Sequence, residues 1–214
     1  MQLYTYFRSS AAYRVRIVLG LKGLDWEAVP VHLLRDGGQQ HGADYKALNP
    51  AGLVPSFKDG AVLLKQSLAI IEYLEEKYPQ VSVLPGGLTE RAHIRGLAYD
   101  IACDVHPINN LRVLKYLETQ LGLTAQQRTE WYLHWVALGL EAFEQQLVAY
   151  NKAGDFCYGS QPTLADVCLI PQVFNAHRFG YSTDHLQRIT KAVQACAQLP
   201  AFIQAEPAHQ PDAE

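Results

Sequence analysis

The stretch Leu3-Tyr4-Thr5-Tyr6-Phe7-Arg8-Ser9-Ser10-Ala11-Ala12-Tyr13-Arg14-Val15-Arg16-Ile17-Val18-Leu19-Gly20-Leu21 changes character half-way. Residues 3–7 form a short, aromatic-rich run, which predicts a strand. From Ser10 to Leu21 the pattern is helical: Ala11, Val15, Val18 and Leu19 fall on one face, and Gly23 follows as a stop. Further along, residues 26–31 read as a second strand, and the polar, Gly-containing residues 35–46 as an irregular loop or short helix. Residues 54–57 and 61–64 flank Lys58-Asp59-Gly60, and Asp-Gly between apolar runs marks a hairpin. Ser67 is then placed to cap a helix through Leu68, Ile71 and Leu74 to Tyr78. The order β-α-β-(α)-β-β-α predicts an α/β layer with a mixed sheet.

Leu84-Pro85-Gly86-Gly87 breaks that order and reads as a linker. Beyond it no strand pattern is found. Residues 89–117, 124–148, 164–176 and 185–197 carry helix-length periodicity. Thr163-Leu164-Ala165-Asp166 resembles a capping box with Asp in place of Glu, so the donors of that helix start can be satisfied inside the core. The expected domains are 1–83 and an all-helical 88–214, with a polar, poorly ordered tail over residues 207–214. A chain of 214 residues that is 49% apolar is large enough for two small domains.

The formal net charge of −3 points to no polyanion partner and excludes a generally basic nucleic-acid binder. No apolar run approaches the roughly 20 residues that span a bilayer, and residues 1–7 lack a signal-peptide pattern. Cys103, Cys157, Cys168 and Cys196 show neither C-x-x-C nor metal-ligand spacing. They read as buried small hydrophobes in a reducing compartment, so a cytoplasmic protein without a metal is expected.

Three local patterns sharpen the reading. Residues 8–16, Arg8-Ser9-Ser10-Ala11-Ala12-Tyr13-Arg14-Val15-Arg16, resemble the zeta-class signature of glutathione transferases, Ser-Ser-Cys, an aromatic, then Arg-Val-Arg. Asn49-Pro50, Val54-Pro55 and the run Gln66-Ser67-Leu68-Ala69-Ile70-Ile71-Glu72-Tyr73-Leu74 resemble that family's glutathione site. Asp104-Val105-His106-Pro107-Ile108-Asn109-Asn110 and residues 166–172 resemble the helical domain of maleylacetoacetate and maleylpyruvate isomerases. The resemblance covers nearly the whole chain. It implies a thioredoxin-like first domain with a four-stranded mixed sheet, an all-helical second domain, glutathione as cofactor, and a homodimer. Ala11 stands where many zeta proteins carry cysteine. Because glutathione brings the sulfur, isomerisation is expected to survive that change.

The resemblance also implies roles. A thiol needs a hydrogen-bond donor and positive potential to ionise. A helix N-terminus offers both through its orphan N–H groups and dipole. Ser9 at the strand-to-helix junction is the expected activating serine, with Ser10 beside it, although either hydroxyl also suits a plain N-cap. A cis bond between Val54 and Pro55 would turn the Val54 backbone toward an extended peptide. Gln66 and Ser67 are expected at the γ-glutamyl carboxylate, Gln40 at the glycyl end, and Asp104 at the γ-glutamyl amine across a dimer interface. A diacid needs cations with planar donor forks. Arg8, Arg112 and Arg178 are the expected clamp, with His106 and Asn110 lining the same pocket. Their alternative is surface or interdomain pairing. The implied reaction is cis–trans isomerisation of a maleyl diacid, maleylacetoacetate before maleylpyruvate. Conjugation or dehalogenation of small electrophiles such as α-haloacids is the first alternative. A non-enzymatic binding protein on the same fold is the second.

Overall fold

The computed structural model describes all 214 residues as two compact units, Met1–Val83 together with Ala197–Glu214, and Leu84–Cys196. In the first unit, strands β1 (Gln2–Thr5), β2 (Glu27–Pro30), β3 (Ser56–Asp59) and β4 (Val62–Lys65) form one mixed sheet in the order β2-β1-β3-β4. β1 runs parallel to β2, with Leu3 opposite Ala28, and antiparallel to β3, with Leu3 opposite Phe57. β3 and β4 close the expected hairpin, Asp59 pairing with Val62.

Helix α1 (Ser10–Leu21) has the bounds its periodicity predicts. It is buried on nearly every side, which explains why its sequence is apolar almost all round. Leu3, Val15, Ile17, Val18, Leu19, Phe57, Ile70, Ile71 and Leu74 are fully buried, each contributing about 1.5–3 kcal/mol from lost water contact. The polar segment after β2 resolves into two short turns, Arg35–Gly37 and Gln39–His41, and helix α2 (Ala43–Leu48). Helix α3 (Ser67–Lys77) follows β4.

In the second unit, the single helix expected over 89–117 is interrupted. α4 (Leu88–Tyr99) widens into a π-helical turn (Asp100–Val105), α5 (His106–Ile108) is one short turn, and α6 (Leu111–Thr119) restarts on an Asn110 cap. Pro107 has no N–H for the ladder, which favours a break here. α7 (Ala125–Tyr150) packs closely on the wide turn. A Cβ at Gly139 would fall 2.2 Å from Val105 Cγ2. α8 (Leu164–Arg178) and α9 (Gln187–Cys196) complete the unit. No helix is long and apolar enough to cross a membrane.

Three expectations need correction. The chain returns to the first unit after Cys196 rather than staying with the helical one to residue 214. Helix α10 (Pro200–Ala205) packs on α1 so closely that a Cβ on Gly20 would lie 3.2 Å from Ala201, and Arg16 Nε donates to Ala205 O at 3.0 Å. Burial of α10, and not the position of the linker, decides where those residues go. The 207–214 tail is ordered. Pro207–His209 is helical, Asp212 accepts the Phe7 N–H at 2.9 Å, and Glu214 pairs with His32 and Arg35. Finally, Cys103 is exposed, whereas Cys157, Cys168 and Cys196 are buried as expected.

Candidate active site

The turn from β1 to α1 carries Arg8, Ser9 and Ser10. Ser9 is half-buried and has extended backbone angles, φ −74° and ψ 112°. Its N–H donates to Tyr6 O at 2.9 Å, and its Oγ accepts the Ala12 N–H at 3.2 Å. A serine hydroxyl has one proton and two acceptor positions. Capping therefore uses an acceptor position and leaves the proton to give away, so the two roles left open for Ser9 coexist. The first turn of α1 contains no acidic residue, and its positive end is not neutralised locally. Ser10 is the first helical residue and is buried, 4% exposed, which suits it less for contact with a ligand.

Two buried arginines that sequence reasoning quoted but gave no role build this turn. Arg16 donates to Thr5 Oγ1 at 3.1 Å, Tyr6 O at 3.4 Å and Phe7 O at 3.1 Å. Burial pulls its guanidinium down to about 10, partly offset by Tyr13 and Asp212. Arg14 Nη1 donates to Ser67 Oγ at 3.4 Å and so links α1 to the start of α3. Arginines alternating with valine on a buried helix were the available signal. Arg8 lies 3.8 Å from Glu214 and stacks its guanidinium 4.6 Å from the Phe7 ring centroid. Its Nε is buried with no protein partner.

The Val54–Pro55 bond is cis. The loop before it is fixed by Leu53 O, which accepts from Tyr45 OH and Asn49 Nδ2, both at 2.7 Å. Burial pushes the Tyr45 hydroxyl above its ordinary value despite its bonds to Ser56 and Asn49. Val54 takes no part in the backbone bonds of this loop. Gln66, and not Ser67, is the residue at the cap of α3. It is exposed and holds φ 70°, a region that non-glycine residues rarely occupy. Ser67 is the first helical residue and is buried, because a left-handed Gln66 turns the chain directly into the helix. Gln40 lies buried in the Gln39–His41 turn. Its Nε2 is 3.4 Å from Leu33 O, and its Oε1 has no protein partner.

In the second unit, Asp104 is exposed on the π-helical turn, beside Asp100. Burial raises the Asp100 carboxyl; Gln146 opposes this and Asp104 adds to it. His106 Nε2 lies 3.4 Å from Asn110 Nδ2, and Asn110 Oδ1 caps α6 by accepting the Arg112 N–H at 3.1 Å. Arg112 is exposed. Arg178 is the last residue of α8, also exposed. Its Nη1 donates to Asn175 Oδ1 at 3.3 Å, and its guanidinium lies 5.3 Å from the Phe179 ring, itself stacked on Tyr132. The candidate residues therefore form one group on the first unit and one on the second: Arg8, Ser9, Ser10, Gln40, Val54, Pro55, Gln66 and Ser67, then Asp104, His106, Asn110, Arg112 and Arg178.

Comparison with known proteins places this arrangement. A family model described as glutathione S-transferase, N-terminal domain, matches residues 3–82. A protein named maleylacetoacetate isomerase from Pseudomonas aeruginosa is 49% identical over 215 residues, spanning 99% of this chain and 98% of that protein. The chain belongs to the zeta-class glutathione transferases. Its fold agrees. A solved holo structure of maleyl pyruvate isomerase, described as a bacterial zeta-class glutathione S-transferase, superposes with a TM-score of 0.97 at 42% identity over 100% of both chains. A maleylacetoacetate isomerase from Methylobacterium extorquens AM1, solved with bound malonate and GSH, superposes with a TM-score of 0.95 at 38% identity over 100% of both chains. As a zeta-class transferase, the chain has the expected mixed-sheet first domain followed by a helical region.

Proposed function

We propose that this zeta-class transferase is a glutathione-dependent cis–trans isomerase of a maleyl diacid, with maleylacetoacetate as its substrate before maleylpyruvate. The observation that carries the proposal is full-length similarity to isomerases of both names, at 49% and 42% identity, joined to a β1–α1 turn suited to a thiolate. Related structures hold GSH, and one holds GSH beside malonate, itself a small diacid.

The residues present fit glutathione. Ser9 keeps a proton to donate, Gln40 keeps a buried acceptor, and Val54 keeps its backbone groups outside the loop's own bonds. The Val54 backbone would pair with the extended tripeptide, and the Gln40 Oε1 would accept from its glycyl amide. The start of α3 at Gln66 and Ser67 would take the γ-glutamyl carboxylate, and Asp104 of a second copy its amine. When bound, glutathione supplies a sulfur nucleophile that adds reversibly to the maleyl double bond, allowing rotation before it leaves.

The protein's own work is electrostatic. Ser9 and the open N-terminus of α1 hold the sulfur in its ionised form. Arg8, whose Nε lacks a protein acceptor, would hold one carboxylate of the substrate. Arg112 and Arg178 would hold the other, with His106 and Asn110 beside them. Guanidinium forks fix the ends of the diacid while its central bond turns. We further propose a cytoplasmic homodimer.

Turnover of both maleyl diacids, with and without glutathione, tests the reading. The expected result is a trans product, a dependence on glutathione, and no net consumption of it. A conjugate accumulating in step with glutathione loss would instead establish transfer or dehalogenation. No binding at millimolar glutathione would establish a non-enzymatic role.

A further inference from the structure

The last residues of the sequence reach back to the turn that carries Ser9. β1 ends its pairing at Thr5, so the Phe7 N–H has no strand partner. It is taken by Asp212 Oδ2 at 2.9 Å. The Phe7 carbonyl is held from the other side by Arg16 Nη2 at 3.1 Å. Both polar groups of this peptide are thus fixed by ionised side chains distant in sequence, and the next two residues are Arg8 and Ser9. The segment that delivers Asp212 is itself braced. Gln210 Nε2 donates to Gln204 O and Glu206 O, each at 2.9 Å, and Ala213 N–H donates to Gln210 O at 3.0 Å. Glu214 then lies 3.8 Å from Arg8.

We infer that Asp212 is a positioning residue: by holding the Phe7 N–H it sets the direction in which the Tyr6–Ser9 turn presents the Ser9 hydroxyl and the Arg8 guanidinium. The inference rests on the reading of Ser9 as the donor to the glutathione sulfur. Two features separate this from mere packing. The bond is made to the backbone of the turn and not to a core side chain. It also lies within two residues of the hydroxyl, where small errors of direction are costly to catalysis. The second Asp212 oxygen, Oδ1, is buried without a hydrogen-bond partner, and its charge acts on buried Arg16. Asp212 therefore has two separable contributions: an acceptor for the turn and a charge for Arg16.

Substitution separates them. Asp212→Asn keeps an acceptor for Phe7 and removes the charge. Asp212→Glu keeps the charge and displaces the acceptor, and Asp212→Ala removes both. The measurements are the pH titration of bound glutathione thiolate by its ultraviolet absorbance, amide exchange at Phe7 in the glutathione-free protein, kcat, KM and melting temperature. In Asp212→Ala the bound thiol should titrate at higher pH, Phe7 should exchange faster, and kcat should fall roughly ten- to hundred-fold. Asp212→Asn should melt earlier yet keep the wild-type thiol titration and kcat. Should Asp212→Ala not fold, Asp212→Glu must move the thiol titration in the same direction. Wild-type titration in Asp212→Ala, beside a shifted Ser9→Ala, overturns the inference alone. Asp212→Asn behaving as Asp212→Ala also overturns it, because charge and not the bond to Phe7 would then matter. A Ser9→Ala protein whose bound thiol titrates as wild type overturns the reading of Ser9 and the inference with it.

Discussion

Two helix starts in this chain look alike in sequence and differ in use. Thr163-Leu164-Ala165-Asp166 opens α8, and Ser9-Ser10-Ala11-Ala12 opens α1. At α8 every group is absorbed. Asp166 accepts the Thr163 N–H at 2.8 Å, the Thr163 hydroxyl at 2.9 Å and the Cys157 N–H at 2.8 Å, and both residues of the box are fully buried. At α1 the hydroxyl accepts one bond, keeps its proton, and is half-exposed on a helix end with no local acid. A capping residue alone does not distinguish a structural device from a site. Saturation and burial do, because a satisfied, dry cap has nothing left to offer a ligand.

The largest effect that would break this contrast is at α8. Asp166→Ala should orphan three buried donors and cost about 3–5 kcal/mol of stability, given roughly 1–3 kcal/mol for each unsatisfied group and partial relaxation. Chemical denaturation measures it. Full activity per folded molecule should remain, and a specific catalytic loss would mean that the α8 cap is also part of the site.

Ser9→Ala should do the reverse. Loss of a charge-assisted hydrogen bond of about 1.5–3 kcal/mol predicts a fall in turnover of about one to two decades. Loss of the cap should cost about 0.5–2 kcal/mol of stability. Ser10→Ala should be milder, and a more damaging Ser10→Ala would move the activating hydroxyl by one residue.

Arg178→Leu sharpens the comparison by separating sulfur from substrate. KM for a diacid should rise about ten-fold, while conjugation of a neutral acceptor should barely change. Arg178→Lys should rescue only part, since an ammonium lacks the planar fork.

The smallest expected effect is that of pH on the first unit. Burial would raise the Glu75 carboxyl, but Lys22, Ser82 and the Val83 N–H outweigh it and hold it below its ordinary 4.5. A carboxylate depressed in the folded state stabilises above its unfolded pKa, and that contribution fades as pH falls through the folded value. Melting temperature should therefore drop below about pH 4.5. This drop should be weakened in Glu75→Gln, whose midpoint at neutral pH should be lower than wild type.

Legibility followed the range of the interactions. The α1 bounds, the Asp59-Gly60 hairpin and the α8 capping box rest on neighbours a few residues apart, and each was readable. The break in the helix after Tyr99 was only half readable. Pro107 marks the place, but the wide turn also depends on Gly139 admitting Val105 across α7. The cap of α3 was misread by one residue because a left-handed glutamine leaves no pattern in a single sequence.

The sequence by itself determined the element order, the mixed-sheet and helical halves, the membership of the zeta class and the candidate residues, because periodicity, turn chemistry and local motifs are short-range properties of the chain. Only the tertiary structure decided that Arg16 is a buried bracket for the Tyr6–Phe7 carbonyls, that residues 197–214 return to the first unit, and that Asp212 holds the Phe7 N–H. Those bonds join groups up to 205 positions apart. A buried polar group must find its partner wherever the packing delivers one, and a polar, proline-containing tail carries no periodic signal of where that will be.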